Sequence, residues 1–167
     1  QMDLRHYNSW ISKAWDVSTK EMLEVQLINV TAPFLFCSKF AELMKHSPFQ
    51  HKFIINVSSM EGRFSKPHKN GFHPHTNMAK AALNMLTRTI AEDYQKIDIY
   101  VNSVDTGWIT DENPFRIRLR NKSIGITPPL SCEDGAARVC EPIFTYTEDG
   151  KNPVSGKFLK DFKTIQW

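Results

Sequence analysis

Apolar residues recur at helical spacing from about Thr19 to Met44, where Leu23, Leu27, Val30, Phe34 and Ala41 fall on related turns. Ser18 or Thr19 can cap this run with Glu21 or Met22 following, and Pro48 closes it, so the pattern predicts one long helix. Pro33 lies inside it and predicts a bend, because its ring removes an amide donor and crowds the preceding turn. Phe53 to Val57 is a β-branched run with polar flanks, the pattern of a short strand buried on both faces. Residues 60–75 hold two glycines, two prolines and three histidines and read as a loop. Met78, Ala82, Met85, Leu86 and Ile90 then mark a second helix from Thr76 to about Tyr94. Asp98 to Val104 gives a second strand, 105–125 a loop with a short helix, Glu133 to about Phe144 a third helix, and Lys157 to Lys160 a last short strand. Residues 1–18, with Trp10 and Trp15, show no sustained period and form an irregular lead-in.

Helices and strands alternate, which predicts an α/β fold with a parallel sheet joined by right-handed crossovers. Three strands make a poor open parallel sheet, because such sheets are buried on both faces and are usually larger. Further strands are therefore expected from elsewhere, and the first residue is Gln1 rather than methionine, which points upstream.

Composition changes this picture little. With 167 residues, 41% hydrophobic and 23% charged, the chain can supply the core of one domain. A formal charge of +3 is too small and dispersed to imply a nucleic-acid partner. Its one basic cluster, Arg116, Arg118, Arg120 and Lys122, alternates with Phe115, Ile117 and Leu119 and reads as a solvated segment over an apolar anchor. Cys37, Cys132 and Cys140 are odd in number and lack Cys-x-x-Cys spacing, which predicts neither disulfides nor zinc. Sequons beginning at Asn29 and Asn56 fall in segments expected to be packed; Asn121 begins a third. Both features favour the cytoplasm or another reducing compartment. No stretch is read as long and apolar enough to span a bilayer, and no signal pattern opens the chain, so no membrane partner is expected.

Ligands of open α/β sheets bind beyond the carboxyl ends of the strands. Ser58 and Ser59 occupy the first such end and Asp105 to Trp108 the second. The strings I-I-N-V-S-S-M-E-G at 54–62, T-N-M-A-K-A-A-L-N-M-L-T-R at 76–88 and V-N-S-V-D-T-G-W-I at 101–109 together resemble the short-chain dehydrogenase/reductase family. That family reads strand-Ser, then Tyr-x-x-x-Lys opening a helix, then an Asn-x-Val-x-Pro-Gly turn. The likeness covers about 140 residues, to the Gly-x-Phe-Leu-Lys-Asp string at 156–161, and implies a partial Rossmann-like parallel sheet, its last three strands, with flanking helices over 19–167. It further implies NAD or NADP as cofactor and four catalytic positions. Ser59 matches the serine that holds the substrate carbonyl, Lys80 the lysine that binds the nicotinamide ribose and lowers the tyrosine pKa, and Asn29 the asparagine that supports a relay water. Thr106, Gly107, Trp108 and Ile109 match the turn that touches the nicotinamide. Helices 19–44 and 76–94 resemble the pair through which the family forms homo-oligomers.

Three departures accompany this likeness. Thr76 stands at the fourth catalytic position, that of the tyrosine, and an aliphatic hydroxyl is too weak an acid for the work of a phenol. Thr106 replaces the proline of the turn. The loop before Thr76 is longer than usual and carries His68, His73 and His75, which read as solvated loop histidines; were one of them to replace the tyrosine as acid/base, His75, adjacent to Thr76, is the first choice. The chain also lacks a G-x-G-x-x-G turn, so the pyrophosphate cradle must come from the remainder of a longer chain or from a partner supplying the N-terminal strands. Two functions fit: an NAD(P)-dependent oxidoreductase with a degenerate active site, inactive as this chain alone, or a non-catalytic binding or oligomerisation module on the same fold. Hydrolysis through Ser59 is disfavoured, since no G-x-S-x-G elbow surrounds it.

Overall fold

The structure, a computed structural model, describes residues 3–149 and 153–167; the first two residues of the lead-in lie outside them. Helices α1 (Thr19–Gln26) and α2 (Ala32–Lys45) are one continuous rod joined by a π-helical segment at Leu27–Thr31. The expected bend at Pro33 takes this form for a physical reason. Proline has no amide to give the carbonyl four residues back and its ring crowds that carbonyl, so the preceding turn widens. The Ala32 amide accordingly bonds Leu27 O, five residues back. Ser18 caps the rod, its hydroxyl accepting from the Glu21 amide at 3.1 Å.

Strand β1 (Lys52–Ser58) and β2 (Ile99–Asp105) pair in parallel, with Ser58 opposite Asp105. Strand β3 (Phe158–Lys160) pairs in parallel on the far side of β2, and β4 (Lys163–Ile165) returns antiparallel on β3. The three expected parallel strands are present; β4 was not expected. Between β1 and β2 runs helix α3 (Pro74–Gln95), with Pro74 at its first turn, two residues before the expected start. Helix α4 (Phe115–Ser123) carries the basic cluster, and α5 (Cys132–Asp149) runs past the expected Phe144 despite Pro142 inside it.

Helix α3 covers one face of the sheet, where Ala41, Ala91, Ile99 and Val101 form the core. Polar residues on this face satisfy one another: Asn56 donates to Thr87 Oγ1 at 2.9 Å, Ser103 donates to the same oxygen at 2.9 Å, and Ser58 donates to Asn84 Oδ1 at 2.5 Å. On the other face Tyr146 of α5 packs against Phe53 and His51. The two strands differ from the sequence-based picture. Every residue of β2 is buried, whereas β1 is mostly half-buried and Val57 is exposed, because among the described residues nothing pairs with its outer edge.

The expectation that no segment suits a bilayer is also corrected. By length and composition the Thr19–Lys45 rod is long and apolar enough to cross one. Its charges cluster at the two ends and leave 25–38 free of them, a contrast that the helical periodicity hides. The buried core helix of a larger globular body has the same composition.

Candidate active site

The carboxyl ends of β1, β2 and β3 meet around Asp105. This buried carboxylate accepts from the Met60 amide at 2.6 Å, from the Gly107 amide at 2.7 Å and from Lys160 Nζ at 3.1 Å. It therefore ties the segment after β1, the turn after β2 and the end of β3 into one floor. Spacing along the sequence places Asp105 at a strand end but gives no sign that three segments converge on it.

Above that floor lies a cleft of about 400 Å³, walled by Ser59, His73, Thr76, Lys80, Gly107, Trp108 and Lys160, with Trp10 of the lead-in across from them. Ser59 follows β1 and caps the short turn Met60–Gly62, its hydroxyl accepting from the Glu61 amide at 3.1 Å. Gly62 lets that turn lie directly on α3: a Cβ there would stand 2.6 Å from the Lys80 carbonyl carbon. This close approach sets Ser59 beside Lys80. Lys80 donates to Val57 O at 3.0 Å, and burial pushes its pKa below the usual lysine value.

Of the positions implied by the resemblance, Ser59, Thr76, Lys80, Gly107 and Trp108 thus share one cleft. Asn29 does not line it. Its side chain donates to Val25 O at 3.2 Å inside the π segment and faces a second, apolar cavity of about 490 Å³ between α2 and the open edge of β1, with Lys80 as the wall common to both. Thr106 and Ile109 do not line the cleft either; their side chains pack toward Gly135 of α5, where an added Cβ would meet Ile109 Cδ1 at 2.1 Å. Gly107 sits at φ +81°, and a side chain there would strike Leu130, so this turn needs glycine.

The histidines fall out differently from the expectation. His75 is buried and points away from the cleft, its Nε2 3.0 Å from Glu21 Oε1. Glu21 also accepts from Ser9 Oγ, and that bond first, then His75, holds its carboxyl below the ordinary value. Helical geometry explains the error: adjacent residues project about 100° apart, so neighbouring Thr76 in sequence puts His75 on another face. His73, three residues before Thr76, is the one that reaches the cleft, with Nδ1 3.1 Å from Thr76 Oγ1.

The cleft suits the nicotinamide end of a dinucleotide. Lys80 spends one ammonium hydrogen on Val57 O and has two more for ribose hydroxyls, and Trp108, over two-fifths exposed, offers a flat apolar wall. A family model described as enoyl-(acyl carrier protein) reductase matches residues 7–122, more than two-thirds of the chain. The chain belongs to the short-chain dehydrogenase/reductase family. Within this family and beyond, an uncharacterised protein, R665, of Acanthamoeba polyphaga mimivirus is 33% identical over 150 residues, covering 86% of this chain and 31% of that protein. The 2,5-dichloro-2,5-cyclohexadiene-1,4-diol dehydrogenase of Sphingobium indicum is 31% identical over 127 residues, covering 76% of this chain and 48% of the enzyme. Among solved structures, the carbonyl reductase Sniffer of D. melanogaster superposes with a TM-score of 0.68 at 20% identity, covering 93% of this chain and 61% of that one. NADPH-bound carbonyl reductase from chicken fatty liver gives 0.67 at 22%, covering 98% and 64%. The short-chain dehydrogenase/reductase chain in hand thus spans half or less of the curated relatives and about three-fifths of the structural ones.

Proposed function

We propose that this chain is the substrate-side part of an NAD(P)-dependent oxidoreductase that interconverts a carbonyl and an alcohol, the rest of the dinucleotide site coming from a longer chain or a partner. Ser59 holds the substrate oxygen, Lys80 holds the nicotinamide ribose, and the turn from Thr106 to Ile109 borders the nicotinamide, with Gly107 and Trp108 facing it. Asn29 acts at a distance, by shaping the helix beside Lys80. Bound cofactor supplies or accepts the hydride; the residues of this chain orient the substrate and exclude water from it. The observation that carries this reading is the meeting of Ser59, Thr76, Lys80 and Trp108 in one cleft at the strand ends.

NADH and NADPH titrated into the full-length protein, with cofactor fluorescence as the signal, should bind at micromolar concentration, and Lys80→Ala should weaken binding by about tenfold, one lost charge-assisted bond. Residues 1–167 alone should show no saturable binding, because this cleft grips only one end of the cofactor. A full-length protein that binds neither cofactor sinks the proposal.

A second reading, a non-catalytic module, draws on the match by resemblance of Thr76 to the family's tyrosine position. It pairs with self-association through the outward faces of α1, α2 and α3, where Leu23, Phe34, Leu43, Met78 and Met85 are exposed. Full-length protein that binds cofactor and dimerises but reduces no carbonyl would favour it.

A further inference from the structure

We propose that His73 is the acid/base residue of this site, delivering its proton to the substrate through the Thr76 hydroxyl. The inference rests on the oxidoreductase reading and supplies the group that reading lacks. His73 lines the cleft with Ser59, Thr76 and Lys80, and its ring is stacked on Trp10 at 4.1 Å and 6°. It caps α3 in the left-handed region, at φ +40° and ψ 50°, a conformation that costs a residue with a β-carbon about 1 kcal/mol or more. Its amide donates to Ser12 O at 2.8 Å and its carbonyl accepts from the Asn77 amide at 3.1 Å, so the strained backbone is held from both sides. Glycine or asparagine would relieve the strain; imidazole brings titration instead.

The hydrogen bonds set the direction of the relay. Thr76 donates its only hydroxyl hydrogen to His73 O at 2.9 Å, so the 3.1 Å contact with Nδ1 has the ring N–H donating to Thr76 Oγ1. In carbonyl reduction, a hydride from the reduced nicotinamide cofactor adds to the carbonyl carbon and the C=O π pair moves to oxygen. That oxygen takes the Thr76 hydroxyl hydrogen as it turns away from His73 O. Thr76 takes the Nδ1 proton of the imidazolium in exchange. The products are an alcohol, oxidised cofactor and neutral His73, which solvent reprotonates. Threonine alone cannot do this, since its hydroxyl is far too weak an acid.

Burial lowers the His73 pKa; Glu61 opposes this by raising it, while Lys69 and His75 push it further down. Lys80 shares the cleft. Carbonyl reduction should therefore rise as pH falls through a value below the ordinary 6.5 and level off beneath it.

The test is His73→Asn in the full-length protein. Asparagine accepts a left-handed backbone and keeps an N–H donor near Thr76, but cannot titrate. Against a panel of ketones and aldehydes, kcat/KM should fall by about a hundredfold or more and lose its acid limb, with cofactor affinity unchanged. Proton NMR of the wild-type His73 ring should give the same pKa as that limb. Undiminished rates in His73→Asn, a limb that survives the substitution, or a ring pKa that differs from the limb would overturn the proposal while leaving the oxidoreductase reading intact. Wild-type protein that reduces nothing on the panel would overturn both.

Discussion

The two long helices of this molecule have opposite surroundings, and the more apolar of them is the barer. Helix α3 buries Ala79, Leu83, Asn84, Thr87 and Ala91 against the sheet. The α1–α2 rod buries only Cys37 and Ala41, while Leu27, Ile28, Phe36 and Leu43 are between 58% and 67% exposed. Nothing in the spacing of their residues separates the two. What differs is the neighbour: α3 lies between β1 and β2, whereas the rod lies over the open edge of β1, beside the apolar cavity. An apolar face of that extent marks a surface built to be covered, since monomers seldom expose one. Beside the apolar packing of Ala41 with Ala91, polar ties from the rod to α3 include the His75–Glu21 pair and the Tyr94 hydroxyl, which donates to Cys37 O at 3.0 Å.

The largest effect should come from truncating the covered helix. Leu83→Ala removes a side chain that is 3% exposed and should cost about 2–5 kcal/mol in urea unfolding. Leu27→Ala on the rod should stay within about 0.5 kcal/mol in residues 1–167 and approach the Leu83 cost only where a longer chain or a partner covers it. Equal losses in the short chain would break the comparison.

Gly62→Ala comes next. Its methyl would press on the backbone of Lys80 and Ala81, so about 1–3 kcal/mol of overpacking is expected, together with weaker cofactor binding in the full-length protein as Lys80 shifts from Ser59. Unchanged stability and binding would mean that the turn and α3 are not in close contact.

Thr87→Val sharpens the account of the covered face. It strands the Asn56 amide and the Ser103 hydroxyl without their shared acceptor, at a cost of about 1–3 kcal/mol measured by the same denaturation.

The smallest effect is pH-dependent and tests the tie between the helices. Glu21 has a folded pKa below its usual 4.5, so ionised Glu21 stabilises the fold above that value and its contribution is lost as pH falls through the folded pKa. His73, also lowered, adds stability above 6.5 that is lost as pH falls through its own folded value. Unfolding free energy followed from pH 7 downward should decline first with His73 and then through the carboxylate range, where Glu61, Asp111 and Asp161 lose stabilising charge along with Glu21. Glu21→Gln should lessen the loss in the carboxylate range without abolishing it, and an unchanged profile in that variant would sever the pair from stability.

Much of this was legible in one dimension. The helices at 19–44 and 76–94 and the strands at 53–57 and 98–104 were recognisable from period and β-branching, because burial on one side imprints a repeat on the sequence. The ordered strings around Ser59, Lys80 and Gly107 carried the family. Other features left no such imprint. Strand β4 matches none of the quoted strings, whereas the equally short β3 lies in the Gly-x-Phe-Leu-Lys-Asp string. Asp105 is one acidic residue at a strand end until three segments converge on it. Asn29 matches a motif position, yet its side chain turns back into its own helix.

By itself the sequence determined the α/β class, the order of elements and the family, since these depend on residue types at fixed spacings. Only the tertiary structure decided which histidine reaches Thr76, because one step along a helix rotates a side chain by about 100° and so out of the cleft. It alone decided that the α1–α2 rod is bare, because burial belongs to neighbours brought from distant parts of the chain.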